Sequence, residues 1–335
     1  MIKTAVLLIN IGTPKGPDPK NVGIFLKEFL NDGHVIEIPE LLRNVLVNLI
    51  IVPFRKRKSS KLYQKLWTEK GSPLLIYSQN VQEKLNKKLP ENYSVYIGMR
   101  YGQPSIKAAI DEIKTKGINK TIVFPLFPQY AYSTTASAID HVNELKNKLE
   151  LNFEIRYIEQ FYNNPGFIKN YTQRIKKYEL YEFDHIIFSY HGLPLKQVYR
   201  SHANQACEKF NCKNEIGKIN SHCYYATCYE TTRLISKELG LSNQQFSVGF
   251  QSRFAKKWLS PFTDELIINQ AKKGAKKLLI VCPSFVADCL ETIVEIDIDH
   301  QELFMEYGGQ KIQLVESLND NDDWIETLSS IILDK

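Results

Sequence analysis

A histidine ends an apolar run in HIIFSYHGLP, residues 185–194. Ile186 to Phe188 reads as a buried strand, His191 as its last residue, and Gly192 and Pro194 as the turn that follows. An imidazole titrates near neutrality; it can accept a proton or bind a first-row divalent metal. Its candidate partners are acidic. After Pro283 the chain runs SFVADCLETIVEIDIDHQ, and a helix from about Asp288 would carry Asp288, Glu291, Glu295 and Asp299 along one face, at i, i+3, i+7 and i+11. A solvated acidic stripe has the same pattern. This row, however, starts at a predicted strand end, expected across a cleft from His191, and like charges on one face repel unless cations or protons visit them. Such N and O donors suit Fe(II) or Zn(II) held loosely enough to be handed on; no HExxH or similar closed spacing accompanies them.

Large flat residues fall at other predicted strand ends. Tyr130 and Tyr132 lie in FPQYAYST, Arg100 and Tyr101 in MRYG, and Trp258 in KKWLSPFTDE. Ordinary packing explains most aromatics. Clustered at strand ends, they also fit a broad, planar, partly anionic ligand, with rings stacking and Arg100 or Arg253 holding carboxylates. Four of the six cysteines share one stretch, Cys207-x4-Cys212-x10-Cys223-x4-Cys228. The quartet reads either as a metal or cluster site or as four reduced thiols, and x4 is not the x2 usual in zinc ribbons. Cys282 and Cys289 stand apart.

The elements that must position these residues come in two copies. VLLINIGTP, with Gly12 and Pro14, matches IIFSYHGLP, with Gly192 and Pro194. TIVFPLFPQYAYST, with Pro125, matches LLIVCPSFVADCLET, with Pro283. Between them VYIGMRYG and FSVGFQSRF match at Gly98 and Gly249. Each half reads strand, helix, strand, helix, strand. Continuous β-branched runs alternate with amphipathic stretches such as SIKAAIDEIKTKG and TDELIINQAKKGAKK. This predicts an α/β protein of two similar Rossmann-like lobes, each a parallel sheet flanked by helices, with a cleft between them. Ligands of such sheets bind beyond the carboxyl ends of strands, where His191 falls.

The expected division is an N-terminal lobe over 1–160, with an apolar segment at about 35–58, and a C-terminal lobe over 161–335, with the cysteine-bearing insertion at about 200–228. The segment VIEIPELLRNVLVNLIIVPFRKRKSSK has two readings. It is a core helix with a solvated basic end, or a greasy lip that handles an apolar substrate or touches a membrane surface.

Composition narrows the partners. The 335 residues are 43% hydrophobic and 24% charged, with a net charge of +6 from 43 basic and 37 acidic side chains. No basic stripe with interleaved aromatics appears, so nucleic acid is not expected. The mild excess suits an anionic small molecule or an acidic membrane surface. No apolar run reaches the roughly 18 residues of a membrane span, and no small-residue cleavage site follows the short apolar stretch Ala5–Ile9. A reducing cytoplasm is the expected location, without disulfides.

Together LFPQYAYSTTAS, SYHGLP, FQSRF, WLSPFTDE and CPSFVADCLETIVEI, with GTP near the start and KLWTEKGSPLLIYS, resemble the blocks of the ferrochelatases, in that family's order, from about Lys3 to Leu318. The resemblance implies insertion of Fe(II) into protoporphyrin IX to give protohaem, with release of two protons, the last step of haem biosynthesis. By the same resemblance His191 and Glu291 match the family's catalytic histidine and facing metal-site glutamate, both ligands of the ferrous substrate. Asp288 and Glu295 would extend an acidic track for metal or protons, and Ile11, Arg100, Tyr101, Tyr130 and Trp258 would touch the porphyrin. Ile11 is apolar where coproporphyrin-using members tend to carry Tyr, which favours protoporphyrin. No cofactor is required for the chemistry. The internal quartet Cys207, Cys212, Cys223 and Cys228 is similar in position to that of bacterial members with a [2Fe-2S] cluster, which makes it a candidate ligand set. Peripheral contact with the inner membrane fits the apolar segment, and the oligomeric state is open. The alternatives are a related chelatase, for coproporphyrin or for cobalt, and a non-catalytic haem or porphyrin carrier.

Overall fold

The computed structural model describes residues 3–253 and 255–334, so Phe254, the last residue of the FQSRF block, lies outside the described residues. The chain forms two compact units: Met1–Phe127, Tyr132–Gln160 and Asp320–Lys335 make the first; Pro128–Ala131 and Phe161–Asn319 make the second.

In the first unit, strands β1 (Thr4–Thr13), β2 (Tyr93–Gly102), β3 (Lys120–Pro125) and β4 (Glu154–Tyr157) form a parallel sheet in the order β2-β1-β3-β4. In the second, β5 (His185–His191), β6 (Phe246–Gln251), β7 (Lys277–Val281) and β8 (Lys311–Leu314) repeat that order as β6-β5-β7-β8, again all parallel. This is the two-lobed Rossmann-like architecture read from the repeat. Ala5 to Ile9 and Ile186 to Phe188 are buried because neighbours flank them in the sheet and helices cover it. That burial on two faces explains why they read as unbroken apolar runs rather than alternating ones.

The internal repeat holds at atomic detail. Gly98 lies against the first turn of the helix Ile106–Thr115, and Gly249 against that of the helix Thr263–Lys272. Each strand then receives the same long-range bond: Met99 N–H donates to the Pro104 carbonyl at 2.6 Å, and Phe250 N–H to the Pro261 carbonyl at 2.9 Å.

Two expectations change. The terminal residues 320–335 join the first unit rather than the second. The helix Asp322–Leu333 packs on the helix Pro73–Lys88, where Lys84 Nζ meets Asp322 at 2.8 Å and Asn80 Nδ2 donates to Asp320 at 2.8 Å. An amphipathic helix at a chain end carries no mark of which sheet it covers. The apolar segment, in turn, is not a core helix. It runs as the helices Glu40–Val45, Leu46–Ile51 (π-wound) and Val52–Leu66, with Leu41 and Phe54 each 81% exposed and Leu49 69%. Among the described residues no helix is long and apolar enough to cross a membrane.

Candidate active site

His191 and Glu291 belong to one unit, not to two facing lobes as expected. His191 closes β5. Glu291 opens the helix Leu290–His300 that follows β7, and β7 is the strand beside β5. The repeat had already put both motifs in the same half of the chain. Neighbouring parallel strands release their chains at the same sheet edge, so the two side chains start from one rim.

His191 is fixed at three points. Its N–H donates to Ser284 Oγ at 3.3 Å, its carbonyl accepts from Tyr224 Oη at 2.9 Å, and its ring Nδ1 lies 2.6 Å from the Gly192 carbonyl. A carbonyl can only accept, so Nδ1 carries the proton and the neutral ring keeps its lone pair on Nε2. That nitrogen is the one available to a metal or a proton. Gly192 has no room for a side chain: a Cβ there would sit 2.7 Å from the Gln251 carbonyl.

The acidic row is shorter than its spacing suggested. Asp288 precedes the helix, is buried, and has both oxygens in use. Oδ1 accepts from Thr292 Oγ1 at 3.2 Å and from Ser317 N at 3.3 Å, and Oδ2 from Asn319 Nδ2 at 2.7 Å. Through these bonds it braces the loop that precedes the helix. The helix itself starts at Leu290, with Cys289 as its cap, and winds as a π-helix to His300. Such i→i+5 winding gives roughly four and a half residues per turn and recurs at functional sites. Glu291, Glu295 and Asp299, four apart, therefore stay on one side.

Glu295 accepts from Ser252 N at 2.7 Å and from Ser252 Oγ. Burial raises its pKa above the ordinary carboxylate range; the Ser252 bonds pull it down, as would a proton on His191, and Glu291 pushes it up again. These couplings tie His191, Glu291 and Glu295 into one electrostatic group. Ser252 reaches Glu295 with φ of +61°, a left-handed backbone that non-glycine residues seldom adopt and that tends to persist at functional sites. Ser252, Ser284, Tyr224 and Gln251 were not singled out from sequence. Gln251 and Ser252 did lie within the FQSRF block, directly after a predicted strand, which was the available signal.

The expected ligand contacts divide. Trp258 stands next to Gly192, whose Cβ position is 3.4 Å from its ring, and with Pro194, Leu195 and Tyr199 it lines a groove of about 450 Å³. Tyr130, half-buried, meets His222 edge-on at 5.4 Å. Ile11 is half-buried in β1. Arg100 and Tyr101 instead turn inward. Tyr101 is 2% exposed, with its hydroxyl on Asp32 Oδ2 at 2.8 Å, and Arg100 pairs with the same oxygen at 2.5 Å. Burial alone would raise the Asp32 pKa. Bonds from His34 and Ser137 and the charge of Arg100 outweigh it and hold the carboxyl well below its ordinary range. Arg253 is likewise engaged, with Asp264 at 2.9 Å and Glu265 at 2.8 Å.

The cysteine quartet is corrected by one member. His202, Cys207, Cys212 and Cys223 are buried, and their donor atoms all lie within 4.8 Å of one another, a candidate metal-holding group. Cys228 is not in it. It sits inside the helix Tyr224–Leu239, near Tyr190 and Tyr224. Its thiol is not among the donor atoms that gather within 4.8 Å of one another. The missed signal was the continuation of the x4 spacing backwards, His202-x4-Cys207-x4-Cys212.

Comparison with known proteins agrees with this fold. The sequence pattern of the family described as Ferrochelatase matches residues 3–335. A protein named Ferrochelatase from Coxiella burnetii (strain Dugway 5J108-111) is 44% identical over 333 residues, 98% of this chain and 93% of that one. One from Legionella pneumophila (strain Lens) is 41% identical over 332 residues, 99% of each chain. Among solved structures, SirB from Bacillus subtilis with Fe3+ superposes with a TM-score of 0.57 at 10% identity, over 99% of this chain and 94% of that one, a likeness of fold. A family pattern that spans nearly the whole chain, laid over two like parallel sheets, leaves one assignment: this protein belongs to the ferrochelatase family and is a metal chelatase.

Proposed function

We propose that this chain inserts Fe(II) into protoporphyrin IX at the rim carrying His191, Glu291 and Glu295. The observation that carries the reading is the 2.6 Å contact between His191 Nδ1 and the Gly192 carbonyl. With Nδ1–H committed there, Nε2 is left to offer a lone pair, and Glu295 is close enough to interact with the ring electrostatically. In the reaction two pyrrole N–H bonds break, four Fe–N bonds form and two protons leave; no electron is transferred. A flat macrocycle shields its nitrogens, so a site that binds a bent ring better than a flat one lowers the barrier. His191 Nε2 and the Glu291 carboxylate hold the ferrous substrate, and their charges offset one another while protons pass to base. Glu295, with its raised pKa, is suited to carry a proton away from the rim. Trp258 and Tyr130 supply ring faces for the macrocycle, and Ile11 favours protoporphyrin over its more carboxylated relative.

The exposed Leu41, Leu49 and Phe54, followed by the basic run Arg55–Lys58, support peripheral contact with an acidic membrane surface. Location in the cytoplasm accords with that reading.

The test is anaerobic incubation with Fe(II) and protoporphyrin IX, watching for a haem spectrum, with coproporphyrin III as the competing substrate. His191→Ala and Glu291→Ala are expected to retain porphyrin affinity while insertion slows by about 10²- to 10⁴-fold, the usual contribution of a positioned acid–base group. Wild-type turnover in both variants would sink the assignment of roles, and faster use of coproporphyrin would sink the substrate.

A further inference from the structure

From Arg200 to Cys223 the regular elements among the described residues are two short 3₁₀ turns, Arg200–His202 and Cys207–Phe210. A loop this long inside a compact unit needs something to hold it. Its centre is polar. His202, Cys207, Cys212 and Cys223 converge there, all buried and with no disulfide among them. Cys207 Sγ is 3.7 Å from Cys223 Sγ, and His202 Nε2 is 3.3 Å from Cys212 Sγ. Zinc(II) binds thiolate at about 2.3 Å and imidazole at about 2.0 Å, so a tetrahedral site has S···S edges of about 3.8 Å and somewhat shorter S···N edges. The Cys207–Cys223 and His202–Cys212 separations are close to such edges. One further group points the same way. The buried amide of Asn220, which also bonds the Phe210 and Glu215 carbonyls, points Nδ2 at Cys212 Sγ across 3.6 Å, the outer contact that orients a thiolate ligand.

The same residues do not fit the [2Fe-2S] cluster suggested by resemblance. Two irons take two protein ligands each, which separates four donors into two spaced pairs. Here all four donors crowd around one point, and Cys228 is not among them.

We propose that His202, Cys207, Cys212 and Cys223 hold a single zinc(II) ion that pins the 200–223 loop and, through it, the strand end carrying His191. The link is short. Cys223 caps the helix Tyr224–Leu239, and the next residue, Tyr224, bonds the His191 carbonyl at 2.9 Å. The ion is structural: four protein ligands close its coordination and leave no position for substrate.

The test uses the full chain, expressed with both iron and zinc supplied and purified anaerobically without chelator. Elemental analysis is expected to find about one zinc per chain, with no acid-labile sulfide and no visible iron–sulfur absorption. Growth in cobalt gives thiolate-to-cobalt charge transfer and tetrahedral d–d bands. Cys212→Ser and His202→Ala lose the metal and melt at lower temperature. His202→Cys, Cys228→Ser and His191→Ala keep it, the last separating this ion from any metal at the catalytic rim. Iron and sulfide in equal amounts would overturn the proposal. So would metal lost from Cys228→Ser but kept by His202→Ala, or a folded wild-type chain that takes up neither zinc nor cobalt. If Cys212→Ser does not fold, the cobalt spectrum of the wild type and the metal content of His202→Cys and Cys228→Ser still decide.

Discussion

The side-chain amide of Gln251 donates a 2.8 Å hydrogen bond to the main-chain carbonyl of Glu291. Strand register places Gln251 directly beside His191, and its Oε1 accepts from Ser189 Oγ at 2.8 Å. One buried side chain, 2% exposed, thus ties the strand that ends in the imidazole to the first turn of the helix that carries the carboxylate. Gln251 is a positioning residue. Gln251→Leu keeps the volume but removes the bonds to the Glu291 carbonyl and the Ser189 hydroxyl, so a stability loss of about 1–3 kcal/mol is expected by urea unfolding. Turnover should fall about 10- to 100-fold with the KM for porphyrin nearly unchanged, because the two groups proposed to hold the metal shift relative to each other. A folded variant with wild-type kcat contradicts this role.

Glu295 makes stability depend on pH in a stated direction. Burial raises its pKa in the folded chain above the ordinary 4.5. The native state then binds this proton more tightly than the unfolded state, and stability falls as pH climbs from 4.5 through the raised value, levelling off above it. Glu295→Gln has no such term. Its urea midpoint should therefore gain on the wild type across that window, over a pH-independent offset from the altered Ser252 bonds. A difference that is flat with pH would mean that the carboxyl is not desolvated.

Much of this site could be read from residue order, and the failures have physical causes. The sheets were legible because strands covered on both faces must be unbroken apolar runs, and His191 because a polar residue ended one. Glu291 and Glu295 do share a helix, as their spacing suggested. Asp288 lies outside it, since no periodicity tells that the helix starts two residues later and winds wider than α. His202 was missed because a search by residue type looks for a fourth cysteine. The inward turn of Arg100 and Tyr101 depends on Asp32, 68 and 69 positions away in sequence, and no local pattern encodes that meeting.

The Asp32 network gives a second pH signature, with two opposed limbs. The folded pKa of Asp32 lies below its ordinary 3.8, so its contribution is complete above 3.8 and is lost as pH falls through the lowered value. His34, bonded to Asp32 at 2.9 Å and Asp140 at 2.8 Å, has its pKa raised from 6.5, chiefly by Asp32. Its contribution is full below 6.5 and fades as pH rises through the raised value. Asp32→Asn leaves Arg100 without its buried counter-charge and should cost about 3–5 kcal/mol. The gap between wild type and variant, followed by thermal unfolding, should be widest between pH 3.8 and 6.5. A gap that keeps widening above that range would contradict the His34 assignment.

Gly98 and Gly249, the paired glycines of the repeat, should respond differently to the same change. In Gly98→Ala the new Cβ would stand 2.9 Å from the Ile106 Cα and 3.0 Å from its Cγ1. Backbone cannot swing aside, so the helix must move. In Gly249→Ala the nearest atoms are Thr263 Oγ1 at 2.8 Å and Leu266 Cδ1 at 2.9 Å, both on side chains, with the Thr263 Cα farther off at 3.2 Å. Overpacking of this kind costs about 1–3 kcal/mol, and Gly98→Ala should fall at the upper end. Activity should show the opposite order. Gly249 pairs in register with Ser189, and Thr263 Oγ1 shares a 2.8 Å bond with the Ser189 hydroxyl that also holds Gln251. Displacing Thr263 therefore reaches the rim of the candidate site, whereas Gly98 lies in the other unit. Melting temperature and turnover measured on both variants separate the effects, and a Gly249→Ala enzyme with unaltered turnover would show that the strand below His191 tolerates the shift.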